Sequence, residues 1–137
     1  MSEWWTYTLS DFLLFSPRTY YRLFELHNAA WWPAQFVAIA GGIAMIAAAQ
    51  RGGPAASRAV AALLALAWAW VAWAFLWQRY ATINWAAPWL AAAFLVQAVL
   101  FGIFATRPRG LALASGPVAL VRTGLAVAAG GVLAYPL

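Results

Sequence analysis

The stretch LHNAAWWPAQ, residues 26 to 35, holds the side chains of this sequence that come nearest to a binding site. It contains His27, the one histidine of the chain, beside Asn28, and two tryptophans and a proline follow. A lone histidine on an aromatic face can ligate the metal of a tetrapyrrole or contact the head group of a quinone. The structural alternative is that His27 and Asn28 bond backbone groups freed by Pro33, while the tryptophans anchor the chain. We expect the structural role, and no bound cofactor.

The rest of the chain offers little for catalysis. There is no cysteine, which excludes thiolate metal sites and iron–sulfur clusters within the chain. The three acids, Glu3, Asp11 and Glu25, all lie in the first 25 residues. Proton relays and acid/base pairs inside membranes are usually built on Asp or Glu. We therefore expect no enzymatic activity and no metal site.

The composition indicates that the protein is embedded in a lipid bilayer. The chain has 137 residues, of which 66% are hydrophobic and 8% are charged, far outside the usage of soluble proteins. A transmembrane helix needs about 20 apolar residues. Four segments meet that length, at about residues 31–50, 59–78, 85–106 and 117–136. Their connections are short and rich in Gly, Pro and Arg, which favours antiparallel neighbours.

The sequence thus predicts an all-α integral membrane protein. About four transmembrane helices form two antiparallel hairpins, and the whole chain, residues 1–137, is one membrane domain. Residues 1–30 form an interfacial N-terminal segment, with Ser16 as a helix cap and Pro17 at the first helical position. Its helix carries an aromatic stripe and an opposite charged side, formed by Tyr20, Phe24, His27 and Trp31 and by Arg18, Arg22 and Glu25. We expect a break in the helix at Trp32–Pro33.

The distribution of arginines predicts the orientation. The chain has eight arginines and no lysine, and its net charge is +5. One side of the membrane receives Arg51, Arg58, Arg107 and Arg109, with Arg122 as a further candidate, and the other receives Arg18, Arg22 and Arg79. The positive-inside rule then places the first set in the cytoplasm and the N-terminus in the periplasm of a bacterial inner membrane. The cationic balance indicates anionic lipid head groups as ligands of the first set, and not nucleic acid.

Tryptophans inside the second apolar segment predict a contact face. Trp70, Trp73 and Trp77 lie on one side of a helix, although tryptophan normally concentrates at membrane interfaces. Small residues occupy the opposite arc, namely Ala61, Ala65, Ala69 and Ala72. We expect this alanine arc to pack against a neighbouring helix. The tryptophan side then meets lipid, a partner subunit or a flat cofactor.

The sequences LFELHNAAWWPAQ and INWAAPWLAAAFLVQ resemble a family of small bacterial multi-pass membrane proteins whose domain has no assigned function. The matching positions are Asn28, Trp32, Pro33, Ala34, Gln35, Ile83, Asn84 and Gln97, and the resemblance runs from about Phe12 to the end. His27 stands where the family has an aromatic residue, and Phe75–Leu76 stands where Tyr–His is common. Family members usually continue past Tyr135–Leu137 with further helices. The resemblance implies a membrane fold and no particular activity.

Three functions remain open at this point. The leading hypothesis is a non-enzymatic accessory or scaffold subunit of a bacterial inner-membrane complex, which binds lipids and other membrane subunits or a second copy of itself. The alternative is a small homo-oligomeric channel or carrier for an anion or a neutral solute, whose path is lined by Asn28, Gln35, Asn84 and Gln97. A third is a subunit that contacts a pigment or quinone of a photosynthetic or respiratory complex through His27.

Overall fold

The computed structural model describes residues 15–112 and 117–133, and every regular element within these ranges is helical. The predicted all-α class is confirmed. The elements are α1 (Pro17–Ala30), α2 (Ala34–Arg51), α3 (Gly53–Trp70), a π-helical segment (Val71–Trp77), a short 3-10 turn (Tyr80–Thr82), α4 (Ala87–Thr106) and α5 (Val118–Leu133). The chain divides into two compact units, Met1–Trp32 and Pro33–Leu137.

Helix α1 is the described element of the first unit. It begins at Pro17, as predicted, but the Ser16 hydroxyl bonds the hydroxyl of Thr19 at 3.2 Å and makes no cap bond to a backbone N–H. The two hydroxyls lie one helical turn apart, so each can serve as the hydrogen-bond partner of the other. On the charged side Arg22 forms an exposed salt bridge with Glu25 at 3.0 Å. Residues 1–14 of the predicted interfacial segment lie outside the described residues.

The predicted helix break at Pro33 is confirmed. Helix α1 ends at Ala30, residues 31–33 form a turn, and α2 begins at Ala34. The N–H of Trp31 donates to the carbonyl of His27 at 3.1 Å and closes the last turn of α1. Because Pro33 has no N–H and disfavours helical geometry at Trp32, the helix cannot continue through this point.

Three helical stretches of the second unit are long and apolar enough to cross a membrane. They are Ala34–Arg51 with 18 residues, Gly53–Thr82 with 30 and Ala87–Thr106 with 20. The predicted fourth span is represented by α5, which is apolar but has only 16 residues. Residues 134–136, which the sequence assigns to the same span, lie outside the described residues.

The connection between α2 and α3 is much shorter than the sequence indicates. The stretch RGGPAASR reads as a loop, yet α2 ends at Arg51 and α3 begins at Gly53. Gly52 makes the turn with φ 66°, in the left-handed region that favours glycine. Pro54 falls in the first turn of α3, where its missing N–H costs nothing. Helix α3 therefore includes polar residues, Ser57 and Arg58, that hydropathy alone assigns to a loop.

Helices α3 and α4 form the most extensive packing of the second unit. Trp68 lies between two rings of α4, with centroid distances of 4.5 Å to Phe94 and 6.4 Å to Phe101. Fully buried alanines allow the close approach, among them Ala61 and Ala87. As the sequence predicts, Ala61 and Ala72 at the two ends of the alanine arc are packed inside the unit.

Helix α5 packs against α2, and α2 also packs against α3. A Cβ added to Gly42 of α2 would lie 2.8 Å from a methyl group of Val132. Near the C-terminal end of α2, Ala49 shares a groove with Leu120 and Val121 at the start of α5. The two helices are therefore antiparallel. The four long helices follow each other in the order α5, α2, α3, α4, so that α2 and α3 each have a neighbour on both sides. The sequence predicted two hairpins of neighbouring helices; α5 instead packs mainly against α2 and not against α4.

Candidate functional site

His27 and Asn28 lie in the last turn of α1. The side chain of His27 is half-buried and that of Asn28 is exposed. On the predicted aromatic stripe, Tyr20 and Trp31 are half-buried and Phe24 is exposed. Within the part of the chain that the structure describes, no group of three or more His, Cys, Asp or Glu side chains could hold a metal ion. A role of His27 toward a cofactor stays a prediction.

Asn84 and Gln97, two of the predicted polar membrane contacts, lie at different depths of the second unit. Asn84 is 6% exposed, and its Oδ1 accepts a bond from the N–H of Ala86 at 2.9 Å. It therefore satisfies the backbone at the entrance of α4, as asparagine commonly does in turns. Gln97 lies 10 residues after the first residue of α4, which places it about 15 Å along the axis of that helix. Gln35 is half-buried in the first turn of α2.

A π-helical segment is the most unusual feature of the second unit. From Val71 to Trp77 the helix widens, and the N–H of Gln78 donates to the carbonyl of Trp73, five residues back, at 3.1 Å. The next N–H, of Arg79, donates to the carbonyl of Phe75, four residues back, at 3.0 Å, so the α-helical spacing is restored. Such segments are rare and occur frequently at functional sites. The positions Phe75 and Leu76, where the resemblance implies Tyr–His, lie inside it.

The three predicted contact tryptophans are all exposed. Trp70 is 39% exposed, Trp73 47% and Trp77 59%, although Ala72, Ala74 and Leu76 beside them are buried. The rings of Trp70 and Trp73 meet edge to face, with centroids 5.9 Å apart. We call Trp70, Trp73 and Trp77 the tryptophan stripe. The stripe begins near the middle of the Gly53–Thr82 stretch and runs toward its end.

Arginines collect at one end of the second unit. Arg51 ends α2, Arg58 is in the second turn of α3, and Arg107 and Arg109 follow α4, all of them exposed. Because α5 is antiparallel to α2, Arg122 lies at the same end. We call these five residues the arginine end. The chain has no carboxylate side chain from Leu26 onward, so the charge of this end is uniformly positive.

Two arginines of this end have specific contacts. The Nε of Arg58 donates to the carbonyl of Ala105 at 2.9 Å, which satisfies a free carbonyl at the end of α4. The guanidinium of Arg107 lies over the ring of Phe104, 5.0 Å from its centroid. The sequence predicted Arg58 only as a ligand of lipid head groups. Its spacing of 47 residues from Ala105 carries no local signal for the bond.

An apolar groove runs between α3 and α4. Its volume is about 670 Å³, and small residues line much of it, namely Ala62, Ala65 and Ala69 of α3 and Ala98, Gly102 and Ala105 of α4. We call it the α3–α4 groove. Ala105 both lines the groove and accepts the bond from Arg58, so the groove reaches the arginine end. Of the predicted alanine arc, Ala65 and Ala69 border this open space.

The turn after α4 lies against the start of α3, a contact that sequence reasoning missed. A Cβ added to Gly110 would lie 2.7 Å from the backbone N of Arg58 and 2.8 Å from the backbone carbon of Ser57. The φ of Gly110 is 57°, so both the space and the conformation require glycine. The sequence TRPRG signals a turn, but nothing in it shows which helix the turn contacts.

Comparison with known proteins gives a family and no activity. No curated protein and no solved structure matches this chain. One family model matches residues 18–128, from the first turn of α1 into α5. The predicted resemblance to an uncharacterised family is thereby confirmed. Because this match covers most of the 137 residues, the chain belongs to the family of unknown function DUF6064.

Proposed function

We propose that this protein is a non-enzymatic accessory subunit of a bacterial inner-membrane complex and that the tryptophan stripe contacts its partner. The exposure of Trp70 and Trp73 near the middle of a stretch long enough to span the bilayer carries the proposal. Tryptophan normally concentrates in the head-group region and is uncommon at the depth of the hydrocarbon core. Exposed tryptophans at that depth are therefore better explained by contact with a protein than by contact with lipid tails.

The shape of the stripe supports a protein contact. Large, rigid aromatic side chains dominate the binding energy of protein interfaces, and tryptophan is enriched among the residues that matter most. Trp73 and Trp77 lie in the hydrogen-bonded π-helical segment and not in a loop, and the carbonyl of Trp73 accepts the bond from Gln78. The stripe is therefore presented by a rigid element, which lowers the entropy lost on association.

The orientation in the membrane is part of the proposal. The arginine end has five positive charges, and Arg79 is the arginine at the opposite end of the second unit. The positive-inside rule then favours a cytoplasmic arginine end and a periplasmic N-terminus. This arrangement places the exposed Trp77, Trp85 and Trp89 in the periplasmic interface, where aromatic residues are enriched.

Purification from the native membrane tests the proposal. The tagged full chain, expressed at its natural level and extracted in mild detergent, is expected to retain a partner in fixed stoichiometry. Trp73→Leu keeps the side chain apolar and removes the indole, so we expect a loss of affinity of about 30-fold or more. Trp85→Leu is the matched control, because Trp85 is exposed but lies outside the stripe.

Two results would refute the proposal. The first is a homogeneous monomer or homodimer that carries no other chain. The second is a partner retained equally by the wild type, Trp73→Leu and Trp85→Leu, which would place the contact elsewhere. Tagging the recovered partner and purifying this protein with it distinguishes a true subunit from an adventitious contaminant.

A further inference from the structure

We propose that the α3–α4 groove binds one acyl chain of an anionic phospholipid, whose phosphate is held at the arginine end by Arg58. This site is separate from the tryptophan stripe, and its existence does not depend on the proposed subunit function.

The groove has the chemistry and direction of a lipid chain. Its lining is apolar almost throughout, and it follows α3 and α4 along their length. From Leu95 to Ala105 it extends about 15 Å along α4, at 1.5 Å per residue. Helices that cross a bilayer run roughly parallel to the lipid tails. An acyl chain can therefore enter the groove lengthwise without bending away from its neighbours.

Arg58 lies at the polar end of the same groove. Arg58, Ala62, Ala65 and Ala69 follow the helical spacing of one face, so the guanidinium belongs to the face that lines the groove. The bond from its Nε to the Ala105 carbonyl fixes the guanidinium at this position. The two terminal nitrogens can then form the paired hydrogen bonds with which arginine binds phosphate.

The surroundings of Arg58 favour an anion. The turn that contains Arg107 and Arg109 lies against the start of α3, because Gly110 touches the backbone of Ser57 and Arg58. These charges are not offset by any carboxylate side chain in residues 26–137. A parallel second copy in the groove would bring its own five arginines to this end, where like charges repel. An anionic phospholipid supplies negative charge at the depth of the head groups, where the arginine end lies.

Native mass spectrometry of the full chain in detergent tests the charge part of the proposal. The probes are phosphatidylglycerol and phosphatidylcholine with identical acyl chains, added separately. We expect a single phosphatidylglycerol molecule to bind with at least about fivefold higher affinity than phosphatidylcholine, because one arginine near a head group contributes about that factor. Arg58→Gln should abolish this preference. Arg122→Gln, at the same end but on α5, should change it less than about twofold.

A second pair of variants tests the groove itself. Gly102 lines the groove, and a Cβ added there meets nothing within 4 Å, so Gly102→Leu can fold and fill the space. Gly130→Leu is the matched control, because the Cβ position of Gly130 in α5 is equally open. We expect Gly102→Leu to release the bound lipid and Gly130→Leu to retain it.

Several outcomes would overturn the inference. Equal binding of the two lipids would show that no anion is recognised. Equal losses in Arg58→Gln and Arg122→Gln would indicate general surface charge and not a site. Retention of lipid by Gly102→Leu would place the chain outside the groove. A change from dimer to monomer in Gly102→Leu, with lipid binding unaltered, would identify the groove as an interface between copies of the chain.

Discussion

Replacing Gly110 by alanine should destabilise the protein through two separable effects. The first is the positive φ of 57°, which costs an L-residue with a Cβ about 1–2 kcal/mol. The second is steric, because the new Cβ would lie 2.7 and 2.8 Å from backbone atoms of Arg58 and Ser57, which cannot rotate away. Overpacking of this kind costs about 1–3 kcal/mol. We expect Gly110→Ala to lower the free energy of unfolding by about 2–5 kcal/mol.

Comparison with Gly53→Ala isolates the steric part of the Gly110→Ala effect. Gly53 has a φ of 86°, but its Cβ position has nothing within 4 Å. We therefore expect a loss of about 1–2 kcal/mol from conformation alone. The entropy that alanine removes from the unfolded chain is common to both variants and cancels in the comparison. Reversible unfolding in mixed micelles, followed by tryptophan fluorescence, measures both values. Equal losses in the two variants would refute the close packing of the turn on α3.

Three further predictions concern other parts of the molecule. Gly42→Ala should lower the free energy of unfolding by about 1–3 kcal/mol, because the new Cβ would lie 2.8 Å from Val132. Gly41→Ala, whose Cβ position is open, should raise that free energy by up to about 1 kcal/mol. The same unfolding assay measures both changes. The purified protein should absorb only near about 280 nm, and His27→Gln should insert normally; a stoichiometric visible band lost in this variant would establish a cofactor. Liposomes containing the protein should show unchanged permeability to anions and neutral solutes beside a conducting control, and measurable flux would favour the channel hypothesis.

The helix boundaries that could be predicted are those set by covalent chemistry. Pro33 lacks an N–H and restricts the residue before it, so the break between α1 and α2 is visible in the sequence. Pro88 occupies the first turn of α4 for the same reason. The long apolar runs also identify the spans, because the length of a span follows from the bilayer.

Apart from the burial of Ala61 and Ala72, the contacts between helices could not be predicted, because in lipid both the packed and the exposed faces are apolar. Periodicity therefore gives no contrast along α4, where Ala98 is buried and its neighbour Val99 is exposed. The π-helical segment contains Ala72 and Ala74, which are both buried, and the apolar sequence of the segment gives no local signal for it. The bond from Arg58 to Ala105 joins residues far apart in sequence, so it too depends on the assembled fold.

The unequal lengths of neighbouring helices have a consequence for the surrounding bilayer. Helix α2 has 18 residues, which corresponds to about 27 Å, whereas α4 has 20 residues, about 30 Å, and the adjacent Gly53–Thr82 stretch is longer still. A hydrocarbon layer of about 30 Å therefore matches α4 and exceeds the length of α2. The membrane would be thinned beside α2, and shorter-chain lipids would gather there.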